Sequence, residues 1–500
     1  MIEKLYEEIL NKKDVRQALS NLRKEIKNER EKEKLIRLCK GDYKEFFALL
    51  NHEDAKTRKN AALLLGELSY QDFLDPLFQA YCAEEQLFIK SSYLQAMKSL
   101  DYRKHMDFFK NKMIELSQMQ LDDGNRKHIT EEMRALSDLI VEMDGVKMHP
   151  FIGFCEASDV ILLTNRRHIE AVMESLKEIE ELDTGRAKMM NAGIRLNTKR
   201  LDLILPVRTY QELLFLVPGM KTCDLDPESA AKTVVSSALL KFLETRHEGT
   251  PPFYFRVELK SKMPLDKKSA FVKKMSAQIE QLSERMLINT TSQYEIEIRL
   301  IENKEGNCNV MVKLYTIPDD RFAYRKEVIP TSIKPSNAAL LVALAKEHMV
   351  ADACVLDPFC GVGTMLIERQ KQIPANTSYG IDNNPAAIAG ARSNMEAAGQ
   401  IIHFINRDYF DFKHEYLFDE IFTNMPFAIG HKTEDEIYDI YVRFFKKSGE
   451  HLKKEGVIIL YSHNKEFVRR MAPANHYKIL EEIEINVREG TYLYVLRYMK

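Results

Sequence analysis

The chain has 500 residues, 45% hydrophobic and 30% charged, enough for about three domains at roughly 100–200 residues each. Net charge is −2, from 73 Lys+Arg against 75 Asp+Glu, which excludes a wholly polybasic nucleic-acid binder but not a local basic face. No apolar stretch reaches the roughly 18 residues of a membrane span, and the charged Met1–Arg16 segment is no secretory signal.

Residues 1–147 predict helix after helix, with apolar residues at three-and-four spacing and almost no proline. Asp54–Leu68 is echoed about 32 residues later by Gln86–Leu100, and more faintly by Arg126–Ile140. The pattern resembles HEAT-type repeats, in which stacked helix pairs build a solenoid. The small residues Ala61, Ala62 and Gly66 predict close helix approach. The alternative is an irregular helical bundle. Neither nucleophile nor acid–base pair clusters here, so the region reads as a spacer or as a module for a protein partner. The mixed charge run Asn21–Lys40 predicts a solvated helix face.

Residues 148–325 change to mixed α and β. Strands are predicted at Val160–Leu163, Leu201–Val207, Leu213–Val217 and Phe253–Leu259. Helices are predicted at Arg167–Glu181 and Lys267–Glu284. Tyr294–Leu300 and Cys308–Tyr315 then predict a hairpin across Asn303–Asn307. This order suggests small α+β units packed in sequence. Residues 191–275 carry a basic excess of about six, including Arg195, Lys199, Arg200, Arg208, Lys273 and Lys274. Arg256, Lys260, Lys262, Lys267 and Lys268 are the candidates for tracking a phosphate backbone; plain solvated surface is the alternative.

Residues 326–500 alternate strand and helix. Strands are predicted at Cys354–Asp357, Ser378–Asp382, His403–Asn406, Glu420–Asn424 and Val457–Ser462, closed by a hairpin of Glu482–Val487 and Tyr492–Tyr498. This is the pattern of a doubly wound, mostly parallel α/β sheet. The strongest local signal is Val355–Thr364, where an apolar strand ends in Asp357, turns through Pro358 and the glycines Gly361 and Gly363, and opens a helix near Thr364. Glycines remove the β-carbons that would obstruct a ligand lying on the backbone. Asp382, 25 residues on, ends the second strand, where a carboxylate can hold ribose hydroxyls. Asp408 follows the third, where it can meet an adenine edge. The spacing fits one adenosine-containing ligand. A nicotinamide dinucleotide fits worse, without Gly-x-Gly-x-x-Gly, and no Gly-Lys-Ser/Thr makes a P-loop.

Asp357-Pro358-Phe359-Cys360-Gly361-x-Gly363-Thr364, together with Asn424-Met425-Pro426-Phe427 at the end of the fourth strand, resembles S-adenosylmethionine-dependent amino methyltransferases. With the approach segment Tyr324–Ala339, the chain resembles more narrowly the THUMP-containing tRNA guanine-N2 methyltransferases. The resemblance is specific over about 320–500 and weaker over 150–320, where it implies a THUMP-like module with a ferredoxin-like partner; it does not cover 1–145. It implies a Rossmann-like domain that binds S-adenosylmethionine through Asp357, Phe359, Gly361, Gly363, Thr364, Asp382, Asn383, Asp408 and Tyr409. It implies catalysis by Asn424, Pro426 and Phe427 on a tRNA or other structured RNA. The same motif also suits adenine N6 or another amine in rRNA, DNA or protein, and a non-catalytic S-adenosylmethionine-binding adaptor is the alternative of a different class. One departure from the family is a longer loop, Ala428–Lys432, in which His431 reads as a solvent-exposed histidine, with a substrate contact as the alternative.

Seven cysteines at irregular spacing, none in Cys-x-x-Cys, predict neither a disulfide framework nor a zinc site. A reduced, metal-free protein of the cytoplasm is the expectation.

Overall fold

A computed structural model describes residues 2–117, 119, 124–144, 148–429 and 433–500. Two compact units are present, Met1–Lys147 and Met148–Lys500.

The first unit is helical throughout its described residues. Helices Ala55–Leu68, Leu87–Met97 and Arg126–Asp144, which carry the repeated segments, pack one on the next. Asp54 caps the first of them by accepting the Thr57 N–H at 2.9 Å. Gly66 is where this helix meets the next: a β-carbon there would lie 2.5 Å from Ala96 Cα. The Ser99 hydroxyl also donates to Gly66 O at 2.8 Å. In the charge run, Leu22, Ile26, Leu35 and Cys39 are buried, while Lys24, Lys27, Arg30 and Lys34 face solvent.

The second unit holds two sheets. The first runs Lys188–Met190, Gly193–Thr198, Ser158–Leu163, Glu212–Phe215, Cys308–Leu314, Ile296–Glu302, Phe253–Lys260, Leu287–Asn289, with Thr222–Cys223 also paired to Cys308–Leu314. The expected separate α+β units are thus joined in one nine-stranded sheet, continuous through the Phe215–Val312 pairing. One expected strand is a helix. In Leu201–Val207, the buried Leu201 and Ile204 are three apart, the spacing of a helical turn, so Leu201–Ile204 coils. Pro206, which has no N–H to give a sheet, follows it. Gly193–Thr198, an unexpected strand, buries Ile194 and Leu196 and turns Asn197 outward.

The second sheet contains β1 (Cys354–Asp357), β2 (Thr377–Asp382), β3 (His403–Asn406), β4 (Phe418–Asn424), β5 (Leu452–Ser462), β6 (Tyr477–Asn486) and β7 (Thr491–Tyr498). Their order is β3-β2-β1-β4-β5-β7-β6. The first five strands are parallel and β7 is antiparallel to both of its neighbours. The strand order reverses between β1 and β4, where a crevice opens at the carboxyl ends of the strands.

The two sheets are tied by buried polar groups. Arg208, from the loop that leads into Glu212–Phe215 of the first sheet, grips Glu368 with two hydrogen bonds of 2.7 Å, and the Tyr324 hydroxyl donates to the same carboxylate at 2.6 Å. No helix among the described residues is long and apolar enough to cross a membrane.

Candidate active site

A cleft of about 450 Å³ lies over the carboxyl ends of β1–β4, within the range of about 300–1,000 Å³ of small-molecule sites. β1 ends in Asp357, and the chain turns so tightly after it that Gly361 (φ +53°) and Gly363 (φ +82°) both take left-handed backbone. A β-carbon at Gly363 would also come within 2.8 Å of the Phe404 ring. Helix Thr364–Gln372 starts directly behind this turn.

Asp382, at the end of β2, accepts the Gly361 N–H at 3.0 Å through Oδ2 and the Asn384 N–H at 2.8 Å through Oδ1. Its carboxylate therefore braces the glycine turn while lining the cleft. Asp408, after β3, accepts the Phe410 N–H at 2.9 Å. Phe359, Gly361, Thr364, Asn383 and Tyr409 also line the cleft, beside Asp382 and Asp408.

Asp357 and Gly363 stand behind the cleft wall rather than on it. Asp357 is fully buried and accepts the Thr423 hydroxyl at 2.6 Å and the Phe359 N–H at 3.1 Å. Burial, reinforced by the nearby Asp382 carboxylate, pushes Asp357 up to about 7 against the pull of those two hydrogen bonds. Burial likewise lifts the Cys360 thiol well above its ordinary value, so the one cysteine lining the cleft is no thiolate nucleophile.

The opposite end of the cleft is built by β4. Asn424 is its last residue, and Met425 N donates to Tyr461 O at 2.9 Å, anchoring the turn to β5. Asn424, Pro426 and Phe427 all line the cleft. Asn424 Oδ1 and Thr364 Oγ1 are buried there with no hydrogen-bond partner among the described residues. Buried polar atoms are nearly always satisfied, so these two mark where a ligand supplies the missing bonds. The Phe427 ring stacks on His463, centroids 4.3 Å apart and planes 25° from parallel. Burial depresses the His463 basicity, keeping its imidazole neutral near pH 7. Gly430, His431 and Lys432 lie outside the described residues.

The basic candidates are not brought to the cleft. Arg256 meets Glu297, at 2.5 Å, and lies over the Tyr294 ring. A carboxylate thus holds Arg256 where a phosphate was expected to do so. Arg195, Arg200, Arg208 and Lys274 are likewise ion-paired, with Asp159, Asp202, Glu368 and Glu228. Lys260, Lys262 and Lys267 are exposed and Lys268 is half-buried, none of them lining the cleft.

The approach segment expected from the resemblance also reaches the site, held there by a residue that gave no signal in the sequence. The segment 324–334 is threaded along the cleft by the buried Asn394, whose Oδ1 accepts Lys326 N and Glu327 N at 2.9 Å each. The Asn394 amide donates to Glu327 O and Val362 O at 3.0 Å each. This brings Ile329, Thr331 and Ser332 to the cleft. Ile440 and Arg443 reach it from helix Glu434–Ser448.

Residues 323–492 match the family model described as "RMKL-like, methyltransferase domain" (UPF0020). This part of the chain is similar to the methyltransferase domains of that family. The chain also has curated relatives of partial coverage. The "U6 snRNA (guanine-N(2))-methyltransferase THUMPD2" of Bos taurus is 32% identical over 88 residues, 18% of this chain and 17% of that protein. The "Ribosomal RNA small subunit methyltransferase C" of Pseudomonas entomophila is 32% identical over 124 residues, 24% of this chain and 36% of that protein. The matches thus span well under half of either relative. Among solved structures, TrmN from Thermus thermophilus superposes with a TM-score of 0.50 at 19% identity, over 68% of this chain and 99% of that one. SMU.472 complexed with SAH gives 0.50 at 14% identity, over 69% and 98%. These two show a shared fold.

Proposed function

We propose that the protein is an S-adenosylmethionine-dependent methyltransferase that acts on RNA, with the exocyclic N2 amine of a guanosine in tRNA as acceptor. The carrying observation is Asn424 Oδ1, an acceptor buried in the cleft without a partner among the described residues, beside Phe427. The family match supports methyl transfer. The names of the bovine and bacterial relatives support RNA, and the bovine one guanine N2. The solved SAH complex of SMU.472 supports the cofactor.

The residues present fit that cofactor. Asp382 offers a braced carboxylate at the place for ribose hydroxyls, Asp408 and Tyr409 border the place for adenine, and the bare backbone of Gly361 allows close approach. Bound there, S-adenosylmethionine supplies an electrophilic methyl group on a sulfonium. Asn424 Oδ1 accepts one hydrogen of the incoming amine, and a backbone carbonyl at Met425 or Pro426 accepts the other. The two acceptors aim the nitrogen lone pair and offset the positive charge that grows on it. Pro426 stiffens this turn. Phe427, backed by His463, offers a flat face to an unstacked base. The methylated ammonium is acidic enough to lose its proton to solvent, so no strong base is needed.

In this reading the helical unit is a HEAT-like module, and residues 148–325 are a THUMP-like region that grips RNA. Asn424→Ala tests the assignment. Labelled methyl transfer to tRNA falls by about 10²–10³-fold, while calorimetric cofactor affinity is kept. Transfer that survives the substitution overturns it.

A further inference from the structure

Arg443 is the one Lys or Arg lining the cleft among the described residues. It projects from helix Glu434–Ser448, which the acceptor turn at Asn424–Phe427 leads into. Its guanidinium lies 3.7 Å from the centroid of the Phe410 ring. It is exposed, and no carboxylate among the described residues forms an ion pair with it. The two acids of the cleft, Asp382 and Asp408, are engaged with backbone N–H groups.

A cation laid flat on an aromatic ring is fixed in its plane, and its edge donors stay available. That fork of donors matches two oxygens of a phosphate. The Phe410 backbone is held by the Asp408 bond to its N–H, and its ring packs against those of Tyr409 and Phe359, with centroids 5.6 and 6.4 Å away. Exposure of the guanidinium places its ligand on the solvent side of the cleft. A nucleotide whose base enters toward Phe427 carries its phosphodiester at that mouth.

We propose that Arg443 binds a backbone phosphate of the RNA at or beside the target nucleotide, and so positions the base for Asn424. The inference rests on the RNA reading above and deepens it by assigning a phosphate contact. Arg443 acts as a positioning residue; the methyl-accepting nitrogen is met by Asn424.

The test compares wild type, Arg443→Ala and Arg443→Lys as full-length chains. Bulk deacylated tRNA is titrated by fluorescence anisotropy between about 50 and 200 mM salt, and S-adenosylmethionine by calorimetry, with thermal unfolding as the folding control. Arg443→Ala should weaken tRNA binding by about three- to tenfold and lower the slope of log affinity against log salt by about 0.7–0.9. Arg443→Lys should restore the slope and part of the affinity, and cofactor affinity should stay unchanged in both. A loss of cofactor affinity with unchanged tRNA binding overturns the proposal, since the guanidinium then serves the cofactor. No change in either overturns it too, leaving a surface cation resting on Phe410. Wild type that binds no tRNA and transfers no methyl to it removes the RNA reading itself. Wild-type binding matched by Arg443→Ala removes only this inference.

Discussion

Thr423 donates its hydroxyl to Asp357 Oδ1 at 2.6 Å, joining two fully buried side chains at the ends of β4 and β1. Thr423 directly precedes Asn424, and Asp357 directly precedes the turn that carries Phe359 and Gly361. The bond therefore fixes the spacing between the cofactor wall and the acceptor turn. Replacing Thr423 by Val keeps the shape and removes the donor. Single-turnover transfer should fall by about tenfold, because reacting groups held slightly out of place lose rate steeply. Unfolding should show a loss of about 1–3 kcal/mol.

Asp357 also sets a pH dependence. Its folded value is raised from the ordinary carboxylate range to about 7 by burial, so the folded protein keeps a proton that the unfolded chain releases near pH 4. The folded state binds more protons between those values, and stability therefore falls as pH rises from about 4 to 7. Asp357→Asn should flatten this part of the profile, because its amide carries no charge to desolvate. Denaturant midpoints measured across that range check the sign: an Asp357→Asn protein with the wild-type slope would contradict it.

Glu368 has no exposed side-chain surface and is balanced by Arg208 and Tyr324. Arg208→Ala leaves that carboxylate buried beside a hydroxyl alone. A loss of about 3–5 kcal/mol is expected, since breaking a buried pair strands the remaining charge. The double variant Arg208→Ala with Glu368→Gln should recover much of it, as read from thermal unfolding. Non-recovery would mean that packing, not charge, is what Arg208 provides.

In the helical unit, Gly66→Ala places a methyl group 2.5 Å from Ala96 Cα and 2.8 Å from Ala96 O. Backbone cannot yield as a side-chain tip does. Overpacking of this kind costs about 1–3 kcal/mol, against the small gain that alanine brings to a helix. A raised melting temperature would show that the two helices are free to separate.

The methyltransferase sheet was legible because each strand is a short apolar run closed by an acid, an amide or a Gly/Pro turn, as at Asp357, Asp382 and Asn424. Leu201–Val207 was not, since a short, aliphatic-rich segment reads equally as one strand or one buried helical turn. The basic patch was legible only as a charge excess. The carboxylates that pair some of it are remote in sequence, with Arg256 meeting Glu297 and Arg208 meeting Glu368 only once the chain is folded. The motif residues of the site announced themselves through spacing. Asn394 and Arg443 did not, because a buried asparagine and an exposed arginine on ordinary helices have no local pattern to distinguish them.

The most direct test is transfer of labelled methyl from S-adenosylmethionine to tRNA taken from a host lacking the protein, followed by nucleoside mass spectrometry. The account predicts label in tRNA, recovered as N2-methylguanosine and missing with Asn424→Ala. Label recovered as N6-methyladenosine, or cofactor binding with no label in any RNA, would contradict it.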